Sequence, residues 1–162
     1  MTWFDYTALA VVGLSMLFGL FRGLVRELIA LAGWVAAFVL AILFADRVAA
    51  RLPAAFGVLG GHIVAFVGIL IAVWILAGII GWIAARLVRA VGMGWPDRVL
   101  GALFGAVRGV LITLALVMAA GLTPVPGDPG WREALLSGPL ETAVIALKPR
   151  LPAALAERIK YR

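Results

Sequence analysis

The sequence predicts an all-α polytopic membrane protein with about four transmembrane helices and a C-terminal helical tail at the membrane interface. Three observations predict it. Of 162 residues, 65% are hydrophobic and only 14% charged, with mean hydropathy +1.14; soluble domains are usually about 45–50% apolar and about 25% charged. The apolar residues gather into four blocks, each near the ~20 residues a helix needs to cross a hydrocarbon core. No segment alternates polar and apolar residues as barrel strands do. Helices, which satisfy their own backbone groups, are therefore the expected spans.

The blocks cover residues 3–21, 28–45, 63–85 and 99–122. The first carries Asp5 and no basic stretch before it, which reads as a retained span rather than a cleaved signal peptide. The second and third contain no charge. Residues 22–27 form a tight link. Residues 46–62 form a longer one, with Pro53, Gly57, Gly60 and Gly61 as breakers. Residues 86–97 contain Gly92, Gly94 and Pro96, and Asp97 is placed to cap the fourth helix and complement its dipole.

After Gly121 the composition changes. Residues 123–130 read as an extended proline-rich linker that cannot continue a helix. In the tail, Leu135, Leu136, Leu140, Val144 and Leu147 form one apolar stripe, Pro149 and Pro152 interrupt it, and a short helix over 153–159 follows. The chain thus divides into a membrane domain at 1–122, a linker at 123–130 and an amphipathic tail at 131–162. The tail is expected to lie along the interface; a helix packed on its own loops is the alternative.

The formal charge is +6, from 14 Lys+Arg against 8 Asp+Glu, with pI ≈ 11.1. No nucleic-acid motif accompanies it. The expected partner is the lipid bilayer, not nucleic acid. Arg22, Arg26, Arg86, Arg89 and Arg98 fall in the two short loops that share a side, against Arg47 and Arg51 in the other loop. The positive-inside rule then sets both termini outside, although the tail's own basic residues run against it.

Catalytic chemistry finds little support. There is no cysteine, His62 is the single histidine and reads as a solvated loop residue, and Ser15 and Ser137 have no base at a recognisable spacing. No enzyme activity, cofactor or metal is expected.

The most informative feature is an internal echo. Leu17-Phe18-Gly19-Leu20-Phe21-Arg22-Gly23 and Leu103-Phe104-Gly105-Ala106-Val107-Arg108-Gly109 share L-F-G-x-x-R-G. Small residues repeat every fourth position in each copy: Ser15, Gly19 and Gly23, then Gly101, Gly105 and Gly109. Such rows let helix backbones approach closely. The two copies run in opposite directions across a four-span membrane, as inverted repeats in transporters do; for so short a match, chance or shared packing chemistry is the favoured account. Arg108 lies about 15 Å along a helix that starts near Asp97, close to the midplane, where an arginine costs at least ~2.5–3.5 kcal/mol on insertion scales. Structural pairing or snorkelling is one role for it and facing a ligand is the other. Glu27 is expected to pair with Arg22 or Arg108.

These residues resemble a known family. Trp3, Asp5 and Tyr6, then Arg22-Gly23-Leu24-Val25-Arg26-Glu27, and above all the run from Asp97 and Arg98 to Gly109 are similar to the CvpA family, the colicin V production proteins of bacterial inner membranes. The last run looks like that family's D-R-x-L-G-x-x-F-G-x-x-R-G signature. The resemblance covers residues 1–122. It implies a multi-pass inner-membrane protein supporting toxin production or export and envelope homeostasis. Its molecular role is then that of a small transport element or, alternatively, of a scaffold for a secretion or envelope complex. Expected partners are further copies of the chain or secretion and envelope proteins. Arg22, Arg26, Glu27, Asp97, Arg98 and Arg108 are the candidate functional residues.

Overall fold

The computed structural model describes residues 1–53, 56–147 and 149. Among them every regular element is a helix: α1 (Trp3–Arg22), α2 (Leu24–Ala49), α3 (Gly57–Ala90), α4 (Gly94–Ala120), a 3-10 turn (Val125–Gly127), α5 (Pro129–Arg132) and α6 (Ser137–Leu147). Helices α1 to α4 are each long and apolar enough to cross a membrane. The chain forms two compact units, one of residues 1–21 with 102–162, the other of residues 22–101; α4 begins in the second and ends in the first.

The helices run past the apolar blocks at most ends. The third block ends at residue 85, yet α3 continues to Ala90 through Arg86 and Arg89. Polar side chains at headgroup level end the hydropathy signal without breaking the backbone ladder. Gly60 and Gly61, expected as breakers, are helical. A helical glycine costs roughly 0.5–1 kcal/mol against alanine, and Gly61 is buried, a Cβ there lying 3.9 Å from Ala49 O. His62 is therefore a residue of α3 and not of a loop. Its Nδ1 lies 2.7 Å from Val58 O and its Nε2 3.2 Å from Asp46 Oδ1.

The second unit is built on an antiparallel α2–α3 pair. Gly33 meets Ala77, and Gly81 meets Arg26 and Ile29. On α2 the buried positions after Glu27 recur every four residues at Gly33, Ala37, Ala41 and Ala45. Helix α3 answers with Gly61 and Ala65, then Ala77, Gly81 and Ala85. Small residues in these rows bring the backbones together where lipid leaves no hydrophobic drive between helices. Ala41 is 0% exposed, whereas its neighbour Ile42 is 69% exposed. We expect Ala41→Leu to cost ~1–3 kcal/mol by overpacking and Ile42→Ala far less, read as thermal unfolding in detergent micelles. Equal midpoints for the two variants would contradict this packing.

Helix α3 ends where Gly92, at φ 81, bends the chain back. Gly92 N–H donates to Arg89 O and Met93 N–H to Val88 O, closing the last turn. Pro96 then sits in the first turn of α4, where its missing N–H costs nothing.

In the first unit, α1 and α4 are antiparallel: Gly105 meets Ser15 and Met16, and Gly109 meets Val12 and Ser15. Residues 123–130, expected to run extended, instead turn compactly and start α5 at Pro129, with Asp128 accepting from Gly130 N–H at 2.8 Å. Phe4 of α1, Val117 of α4, Trp131 and Val144 form a buried cluster, with Leu136 and Leu140 packed against it. Leu135 and Leu147 of the expected stripe are exposed. The helix expected over 153–159 lies outside the described residues.

Candidate functional site

The charged and small residues of the motifs fall into two places, one per unit. In the first unit the α1–α4 crossing holds Ser15, Gly105, Arg108 and Gly109, and Gly19 is buried further along α1. Along α4, Gly101, Gly105, Gly109, Thr113 and Val117 are buried at every fourth position. A Cβ on Gly105 would fall on Ser15 O, and one on Gly109 would fall 2.7 Å from Val12 Cα. The absent side chains thus set the crossing distance. Arg108, about 21 Å along α4 from Gly94, is half-buried. Its Nε donates to Ser15 Oγ at 3.0 Å, and a terminal nitrogen donates to Ser15 O at 3.2 Å. The hydroxyl counted as a packing residue in the small row is therefore an acceptor for the charge in the other row. A helix carbonyl keeps a second lone pair free after its own ladder bond, so Ser15 can accept twice without breaking α1.

In the second unit the site is where the start of α2 meets the start of α4. Gly23 separates α1 from α2 alone, at φ 83. Asp97 does not cap its own helix. It sits in the first turn of α4 and is buried, and its Oδ1 accepts from Val25 N–H of α2 at 2.9 Å. The sequence neighbours of Asp97 suggest an α4 cap because capping is usually local; here a helix terminus 72 residues away presents the free donor. A Cβ on Gly23 would strike the Asp97 carboxylate. Gly23→Ala must therefore bear both the left-handed backbone, ~1–2 kcal/mol, and this collision. We expect it to lower the unfolding midpoint more than Gly92→Ala, which shares the positive φ but has nothing within 4 Å.

The two L-F-G-x-x-R-G copies thus have different backbones. Gly109 is helical and packed, while Gly23 is the break. Arg22 and Arg98 are exposed, Arg26 is half-buried, and Glu27 is buried at 4% exposure.

Sequence reasoning missed Asp5 as a structural centre. It is 0% exposed and accepts from Thr2 N–H at 3.0 Å, Leu135 N–H at 3.2 Å and Leu136 N–H at 2.9 Å. Beside it Trp131 Nε1 donates to Glu141 Oε1 at 2.6 Å, and the Phe4 and Trp131 rings lie 4.3 Å apart. A carboxylate inside a membrane-span candidate was the available signal; its partners, 130 residues away, were not. The α2 row of Gly33, Ala37, Ala41 and Ala45 was also legible in its spacing, though hidden in an alanine-rich span.

The geometry defines a class: a four-span α-helical membrane protein whose helices pair through rows of small residues and whose polar groups mainly hold helices and tail together. The chain belongs to the colicin V production protein family, whose model matches residues 4–145. It is 35% identical over 113 residues to the colicin V production protein homolog of Haemophilus influenzae, covering 70% of this chain and 69% of that one. It is 36% identical over 117 residues to the colicin V production protein of Escherichia coli, covering 72% of each. No solved structure matches it.

Proposed function

We propose that the protein is a non-enzymatic inner-membrane factor that supports production of a colicin V-type toxin by acting as a scaffold for secretion or envelope proteins. Family membership supports the toxin link. The single observation favouring a scaffold is the way Arg108 is held, by the hydroxyl and carbonyl of Ser15 within a close α1–α4 crossing. An intramembrane arginine serving a conduit would be expected to face water. The cleft of about 230 Å3 between α1 and α4 has no charged lining residue, and Thr7 and Thr113 turn their hydroxyls to Trp3 O and Gly109 O. A cleft of about 160 Å3 beside Trp34 and Trp74 is lined by apolar residues alone.

The test pairs two measurements. In a bacterium lacking its own family member, the chain is expected to restore toxin release, and affinity purification from those membranes to retain secretion or envelope proteins. In proteoliposomes the purified chain is expected to pass no more ions or small solutes than empty vesicles. A flux that disappears with Arg108→Ala would reject the scaffold in favour of a small transport element. Orientation is checked by single-cysteine labelling, which is clean because the chain has no cysteine. Leu135 is 67% exposed and suits it; Ser137 is 1% exposed and does not. Labelling at Leu135 by an impermeant reagent in intact spheroplasts is expected for termini that lie outside.

A further inference from the structure

We infer that the end of the second unit formed by the start of α2, the end of α3 and the start of α4 is a binding surface for the headgroups of anionic phospholipids. The antiparallel α2–α3 pair and the Asp97 to Val25 bond bring these three helix ends together. Five arginines gather there: Arg22, Arg26, Arg86, Arg89 and Arg98. Among the described residues none of the five has a carboxylate within salt-bridge distance; Arg86 lies instead over the Trp82 ring.

Two carboxylates lie in the same segments, both of them buried. Asp97 is buried on the Val25 N–H, and Glu27 is buried at 4% exposure. Five arginines outnumber the two carboxylates, and the exposed charge of this end is positive. The other end of the same unit differs: Asp46 meets His62, and only Arg47 and Arg51 are basic, with Arg47 over the Phe44 ring.

The surroundings select lipid over a dissolved anion. Trp95, between Arg89 and Arg98, is 76% exposed, and tryptophan beside arginine at the end of a span is the composition of a membrane interface. Arg26 is anchored rather than free, its Cγ lying against Gly81 of α3, and its Nε is buried with no hydrogen-bond partner. A planar guanidinium held in place suits bidentate contact with a phosphate diester. An anionic leaflet attracts such residues additively, and the attraction fades within a Debye length. The occupant is thus a layer of phosphatidylglycerol-class headgroups around this end.

The full chain, purified in detergent with equal phosphatidylglycerol and phosphatidylcholine, tests this by native mass spectrometry of the lipids it retains. The natural chain is expected to hold the anionic lipid about ten-fold over the zwitterionic one. Arg22→Gln, Arg86→Gln, Arg89→Gln and Arg98→Gln together should bring the ratio near parity, while Arg47→Gln with Arg51→Gln should leave it unchanged. Should the fourfold variant fail to insert, salt provides the second reading. Raising it from about 0.05 M to about 0.5 M should erode the preference of the natural chain. A preference that resists salt, an equal loss in the Arg47 and Arg51 variant, or no preference in the natural chain would overturn the inference. So would displacement of the lipid by millimolar inorganic phosphate, which would mark a seat for a free anion.

Discussion

Gly105→Leu is expected to separate α1 from α4 and to cost at least ~3 kcal/mol, the upper end of overpacking effects. The reason is what lies opposite. A Cβ at Gly105 would fall on Ser15 O and 3.0 Å from Met16 Cα. Both are backbone atoms, so no rotamer change relieves the clash and a helix must move. Moving it also pulls Ser15 from Arg108, which costs the guanidinium two of its hydrogen bonds in the apolar region. Two controls isolate the cause. Gly13 on α1 and Gly127 in the 3-10 turn have nothing within 4 Å. Gly13→Leu and Gly127→Leu should leave the unfolding midpoint in micelles nearly unchanged. Equal midpoints for all three variants would disprove the close crossing.

Asp5→Ala is expected to release the tail from the ends of α1 and α4. Three backbone donors, on Thr2, Leu135 and Leu136, lose their acceptor. A buried donor left unsatisfied costs ~1–3 kcal/mol. Even one full penalty at the lower end shifts the open population several-fold, and two exceed ten-fold. The tail keeps its apolar contacts, Phe4 on Trp131 and Val144 in the same cluster, and the Trp3 Nε1 bond to Asp128 Oδ1 at 3.2 Å. The spans should therefore stay folded while cleavage by a protease within residues 121–136 rises at least about ten-fold. Asp5→Asn keeps one acceptor oxygen and turns an amide toward the remaining donors, so an intermediate rate is expected. Cleavage at the natural rate in Asp5→Ala would show that apolar contact alone holds the tail.

The spans were legible because hydropathy is summed over many residues and survives local exceptions. Their ends were not. His62, Arg86 and Arg89 look like loop residues by polarity, yet the helical ladder runs through them. The close crossing of α1 and α4 was foreshadowed by Gly105 and Gly109, since a glycine row has few uses in a membrane helix besides packing. The α2–α3 row was harder to read, because alanine is also the best helix former and its spacing carries little contrast. The echo shows the limit of local pattern: Arg108-Gly109 lies inside a helix and Arg22-Gly23 ends one, with identical residues in each pair.

By itself the sequence determined the all-helical membrane class, the number of spans and the rows through which α1 and α4 can approach. Each depends on composition and on helical spacing, which are properties of one segment at a time. Only the tertiary structure decided the partners of the polar groups: Arg108 with Ser15, Asp97 with the α2 terminus, Asp5 with the tail. A buried carboxylate or guanidinium takes whichever unsatisfied group the packing brings within about 3 Å. Donors and acceptors of that kind lie 72 to 131 residues away here, where no spacing rule reaches.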